Sequence, residues 1–282
     1  MAKKHTISPG DMTHNSLHAR MNLTHKLVRL FNRQKTKAVH KVATLWPTHL
    51  KVWLKEHDPA EKKKLAKASA DEIAAALYAE IMDEWERLPE EAKEDLVAAA
   101  ESGAAKGAVQ LRISDVEVIS AVNATARDWA EKRAAELVGM RWTDDGDLVP
   151  NPNAQWRISD TTRDELRRIV ASAFEKETPL DVLTEEIKTA GAFSSVRAEL
   201  IARTEVQFAQ VSGNYAAWQE SGLVESVTSI LSADHEVEDE CDDNDGVVVR
   251  LGEPFPSGDL APPYHPRCMC VIATAELVGE QE

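Results

Sequence analysis

From Met21 to Gly222 the apolar residues of this chain return every three or four positions, as one face of an α-helix requires, and past Leu223 that rhythm stops. Leu23, Leu27, Leu30 and Phe31 form the first stripe, within a Lys-rich stretch that gives the helix a cationic face. Ile73, Leu77, Ile81, Trp85 and Leu88 form a second, and Val118, Val122, Thr125, Trp129 and Leu137 a third. Ser69 with Glu72, Ser114 with Glu117 and Thr162 with Glu165 have capping-box spacing, and Thr178 is placed to cap a helix that opens on Pro179. Pro89 is expected to end the second stripe, and Gly213 to interrupt the long helix that comes after Gly191.

Beyond Leu223, "ESVTSILS" and "VVVRL" are short and β-branched, and Pro254, Pro256, Pro262, Pro263 and Pro266 punctuate the rest of the chain. The expected fold is mainly α: a helical body with a small β-containing, loop-rich C-terminal module, α+β overall. Residues 1–20 lack periodicity and read as a mobile arm. Residues 21–143 read as a basic-to-acidic helical region, 144–153 ("DDGDLVPNPN") as a linker, 154–222 as a second helical stretch and 223–282 as the small module.

With 282 residues and 43% hydrophobic content, the chain can bury a core. Three cysteines, an odd set, and an N-terminus without an apolar signal run argue for a reducing, intracellular setting. No window approaches the roughly 18 apolar residues of a membrane-spanning helix, so a soluble protein without a membrane segment is expected. The net charge of −15 is uneven: residues 1–64 hold 11 Lys and 3 Arg against 2 Asp and 2 Glu, a balance of +10 that leaves −25 for the rest. That basic stretch suits DNA phosphates, an acidic protein surface or plain solvation.

All three cysteines fall in one segment, Cys241 to Cys270, together with His265. Cys241, His265, Cys268 and Cys270 supply the four N/S ligands of a structural tetrahedral zinc, although their spacing is not that of the usual paired ligands. The other reading is free buried thiols. Eight acids lie between Asp234 and Asp245, but an EF-hand loop aligned on Asp243, Asp245 and Gly246 would place Gly252 where its bidentate acid belongs. In "IARTEVQFAQVSG", Glu199 can pair with Arg203 one helical turn away, and Glu205, on another face, needs its own partner if buried. No nucleophile elbow, zincin or phosphate-loop motif is present. His235 and His265 with their acidic neighbours leave a metal-dependent nuclease as the enzymatic alternative.

"RAELIARTE" at 197–205, Ala209, Gly213, "SGLV" at 221–224, the Asp245–Gly246 pair and "PPYHPRCMC" at 262–270 occur in an order that resembles the phage head-morphogenesis family, the Mu F-like minor head proteins of tailed bacteriophages. Over this resemblance, residues 154–222 would be the helical part of the family's domain. The family's pattern has a C-x2-C before the D-G pair and ends in H-P-x-C-R-C; here Glu238 stands for the first cysteine and Met269 for the arginine. Glu238 then becomes a candidate oxygen ligand. The resemblance implies a non-enzymatic minor head protein, associated with the portal inside the capsid near the portal vertex, and in the host cytoplasm during assembly. It implies roles in head assembly and in packaging or ejection of DNA, with scaffold or major capsid protein as further partners and phage DNA met through residues 1–64. Arg203, Thr204, Glu205, Gly213, Asp245 and Gly246 would be its structural residues; a phage-delivered effector enzyme is the rival.

Overall fold

The computed structural model describes residues 14–56, 58–154, 157–232 and 241–279. Of the expected mobile arm, residues 1–13 lie outside them, while 14–20 belong to a helix. Seven α-helices and two small antiparallel sheets are present among the described residues: α1 His14–Trp53, α2 Pro59–Glu80, α3 Met82–Gln110, α4 Val116–Glu136, α5 Ile158–Glu175, α6 Leu180–Lys188 and α7 Ser195–Ser221, with β1 Met140–Trp142, β2 Leu148–Pro150, β3 Val224–Ile230, β4 Val248–Arg250 and β5 Val271–Leu277. The chain is mainly α with its larger sheet near the C-terminus, as expected.

Two compact units emerge. A central unit comprises His25–Glu91 and Ala134–Ala198; a terminal unit comprises Met1–Thr24, Ala92–Arg133 and Glu199–Glu282. Residues 144–153, expected as a linker, instead fall within the central unit, where β1 and β2 pair as a hairpin. The Thr143 amide donates to the Asp147 carbonyl and Gly146 takes φ +86°, so the same turn residues that break a helix close a hairpin.

In the central unit the α1 stripe continues through Leu27, Leu30, Phe31, Ala38, Val42 and Trp46, all buried. Trp46 and Trp53 pack on Phe174 of α5, with ring centroids 4.5 and 6.0 Å apart. The cationic face of α1 is partly consumed by its own fold: Lys37 pairs with Asp83 and Glu84, Arg33 with Glu84 and Glu91, and Lys41 with Glu80. Arg197 lies against the Phe31 ring and donates to the Thr162 hydroxyl and to the Ala192 and Ile158 carbonyls. Burial lowers its pKa to about 10.

Several expected helix ends are corrected. Helix α2 opens at Pro59 rather than at Ser69, because Asp58 caps it by accepting from the Ala60 and Glu61 amides; Ser69 is buried mid-helix. Helix α4 is capped by Asp115 rather than Ser114. Helix α5 starts at Ile158, which puts Thr162 inside it, donating to the Ile158 carbonyl. Pro179, not Thr178, is the cap residue of α6. Pro89 does not end its helix: the break falls at Ile81, and α3 runs through Pro89 because Trp85, Leu88, Ala92 and Leu96 are all buried around it.

In the terminal unit α7 is continuous through Gly213, contrary to the expected interruption. A Cβ at Gly213 would overlap the Ala100 carbonyl, and one at Gly103 the Gln210 carbonyl, so these glycines let α3 and α7 approach backbone to backbone. Buried Ser16 and Gln210 and half-buried Ser102 form a polar chain beside that seam. The sheet has the order β4-β3-β5, all antiparallel. Val211, Tyr215 and Trp218 of α7 share one core with Val224 and Val227 of β3, with Phe255, Tyr264 and Ile272, and with all three cysteines.

Candidate metal centre

The segment between β4 and β5 has little secondary structure, so its position depends on side chains that grip its backbone. Helix α7 supplies most of them. Thr204 accepts from the Arg267 amide at 3.1 Å, Gln207 donates to the Cys270 carbonyl at 3.3 Å, and Arg203 Nε donates to Met269 Sδ at 3.2 Å. From the sheet, Tyr264 donates to Ser229 Oγ at 3.0 Å; from α7, Tyr215 accepts from the Gly252 amide at 2.7 Å. Arg267 takes φ +77° and the Cys268 amide donates to the His265 carbonyl, a tight turn that faces His265 and Cys268 toward the same point.

Cys241 arrives from the other side. It opens a 3-10 turn, Asp242–Asn244, and the chain then reverses at Gly246, φ +70°, whose amide donates to the Ser229 carbonyl of β3. Asp245 bridges Ser229, and buried Asn244 accepts from the Ser257 amide. The Asp245–Gly246 pair thus fixes where Cys241 enters the core.

One ligand atom each from Cys241, His265 and Cys268 lies within 4.8 Å of the others. Cys241 Sγ is 3.2 Å from His265 Nε2 and 3.5 Å from Cys268 Sγ. In a tetrahedral zinc site with Zn–S near 2.3 Å, neighbouring sulfurs are separated by roughly 3.8 Å, so the three donors are spaced for one ion. His265 Nδ1 is 2.8 Å from the Pro266 carbonyl, which can only accept; Nδ1 therefore carries the proton, and the Nε2 lone pair faces the sulfurs. Cys270 is buried, but its sulfur falls outside the compact three-residue group. Glu238 and His235 lie outside the described residues.

The thiols do not share their protons evenly. Cys268 is pulled far below an ordinary thiol by hydrogen bonds from Cys241 and then Cys270. Cys241 is pushed up, first by its hydrogen bond to Cys268, and Cys270 is raised to about 12 because Cys268 and burial outweigh the pull of Cys241. A cation bound there would displace the thiol protons. The donor set fits zinc: two buried thiols and a half-buried imidazole, with the imidazole oriented by the Pro266 carbonyl and the turn held by the Thr204 hydroxyl.

The remaining structural candidates divide between two contacts. Arg203 and Thr204 hold the Cys/His turn, whereas Glu205 faces α4, where its carboxylate accepts two hydrogen bonds from Arg133 at 2.8 Å. Glu199 pairs with Arg20 at 2.7 Å. The grips of Gln207, Tyr215 and Tyr264 escaped sequence reasoning, as did Arg133 and strand β5. The β-branched, alternating "VIATAEL" was a signal for the strand, while nothing local marks the partner of a side chain.

Helix α7 thus contacts the loop that carries His265, Cys268 and Cys270. Residues 164–273 match the family model described as Phage Mu protein F like protein, so the head-morphogenesis resemblance holds over that segment. No curated protein and no solved structure matches the chain. No helix among the described residues is long and apolar enough to cross a membrane.

Proposed function

We propose that this chain is a non-enzymatic minor head protein that associates with the portal during head assembly, and that its C-terminal module is a structural knot closed by one zinc ion. Cys241, His265 and Cys268 would hold the ion, with Cys270 as a fourth donor. The observation that carries the reading is the coupling of two motifs: Arg203, Thr204 and Gln207 of α7 grip the very loop that presents His265 and Cys268. The helical and cysteine-bearing halves of the family segment thereby work as one brace. An ion there would supply cross-linking and no chemistry on a substrate. His265 is already engaged by Cys241 and the Pro266 carbonyl, which gives a nuclease reading no support.

Co-expression with the portal protein of the same phage, followed by size-exclusion chromatography with mass determination, tests the assembly claim. A complex of defined stoichiometry is expected; portal rings that assemble and elute without this chain would overturn it. The brace has its own test. Thr204→Val removes no ligand, yet it is expected to weaken zinc binding by roughly tenfold or more, as loss of an orienting partner does. An unchanged affinity in a chelator competition would mean that α7 does not position the site.

A further inference from the structure

The two edges of the terminal sheet differ. β4 is three residues long and carries Arg250; β5 has seven residues, and among the described residues no strand pairs with its outer side. An exposed edge presents a row of unpaired N–H and C=O groups, which proteins ordinarily shield with lysine or proline. The β5 sequence, "VIATAEL", has neither. Its single charge, Glu276, is drawn back over the sheet by Ser226 Oγ of β3 at 2.9 Å. The register shifts lie toward the Glu276 end, and Val271–Thr274 pair regularly with β3, so a straight stretch is left without a further strand among the described residues. Beyond the far end of the strand, exposed Leu223 and Val278 are joined by a backbone hydrogen bond of 3.0 Å and offer an apolar step.

Charge selects the occupant. Residues 199–282 contain 17 acidic residues against three arginines and no lysine, a balance of −14. A second copy would bring a like charge to the same edge, whereas a cationic strand would be attracted. We propose that the outer edge of β5 docks an extended, lysine- or arginine-bearing segment of another protein, which adds to the sheet as a fourth strand. The proposal rests on the head-protein reading in one respect: the partner is sought among the other head components.

The probes are short fluorescein-labelled peptides tiling the portal and the other head proteins of the same phage, titrated against the full chain. A basic peptide is expected to bind, more weakly as salt rises, with amide-exchange protection confined to residues 271–278. Thr274 and Ala275 are exposed, so Thr274→Lys and Ala275→Lys should leave the thermal unfolding transition in place while reducing peptide affinity by roughly tenfold or more through charge repulsion. Binding that ignores both lysines, protection elsewhere in the chain, or no bound peptide would overturn the proposal. Self-association that the lysines abolish would overturn it in favour of a second copy. A portal complex together with peptide binding that ignores the lysines sinks the edge and spares the portal reading; lysine-sensitive peptide binding at the edge without any portal complex does the reverse.

Discussion

Glu205 and Arg133 are both nearly withdrawn from water, at 5% and 3% side-chain exposure, and their fork-to-fork contact compensates two buried charges. Removing Glu205 takes the carboxylate from a buried guanidinium, so Glu205→Ala is expected to cost about 3–5 kcal/mol in denaturant unfolding, while Arg133→Met with Glu205→Leu recovers most of it. Equal losses in the single and double variants would contradict this. Gln34 is the opposite case. It is fully buried in the α1 stripe, and neither its amide oxygen nor its nitrogen has a partner among the described residues. Gln34→Leu is therefore expected to stabilise the fold by about 1–2 kcal/mol. The sequence made it plain that a buried Glu205 would need a partner. It could not identify Arg133, which is 72 positions away in the chain.

Among the elements, the seam between α3 and α7 is the most sharply constrained. Gly213→Ala would drive a methyl into the Ala100 carbonyl, and a loss of about 3 kcal/mol or more is expected in thermal unfolding, although alanine is the better helix former. Helix existence was legible because the stripes at Leu23 and Ile73 mark real buried faces. Helix ends were less so, since Ser69 and Thr162 can serve as caps or sit buried inside, and tertiary packing decides. Glu84 carries a pH signature. Burial raises its pKa, but the hydrogen bonds from Lys37 and Arg33 outweigh this, and the net shift is downward from 4.5. Its contribution is therefore complete above about pH 4.5 and is lost as pH falls through the lower folded value. Glu84→Gln should cost about 1–2 kcal/mol at neutral pH, since its partners are partly exposed, and that difference should shrink on acidification. A gap that is constant with pH would contradict the assignment.

Across the whole molecule, the change of pattern at Leu223 marks where helices give way to the sheet, and the single Cys241–Cys270 segment holds the three donors that converge. Spacing alone could not show that three of the four donors converge, because the folding of the loop by Thr204, Gln207 and Tyr264 brings them together. That the module is knotted by a metal is the claim on which the structural reading most depends. Native mass spectrometry with elemental analysis of the purified full chain tests it most directly. About one zinc per chain is expected, reduced in Cys241→Ser and in Cys268→Ser, with the module core around Tyr215 and Trp218 loosening when a chelator removes it. A metal-free chain whose core stays intact would contradict the zinc knot and leave the cysteines as packing residues.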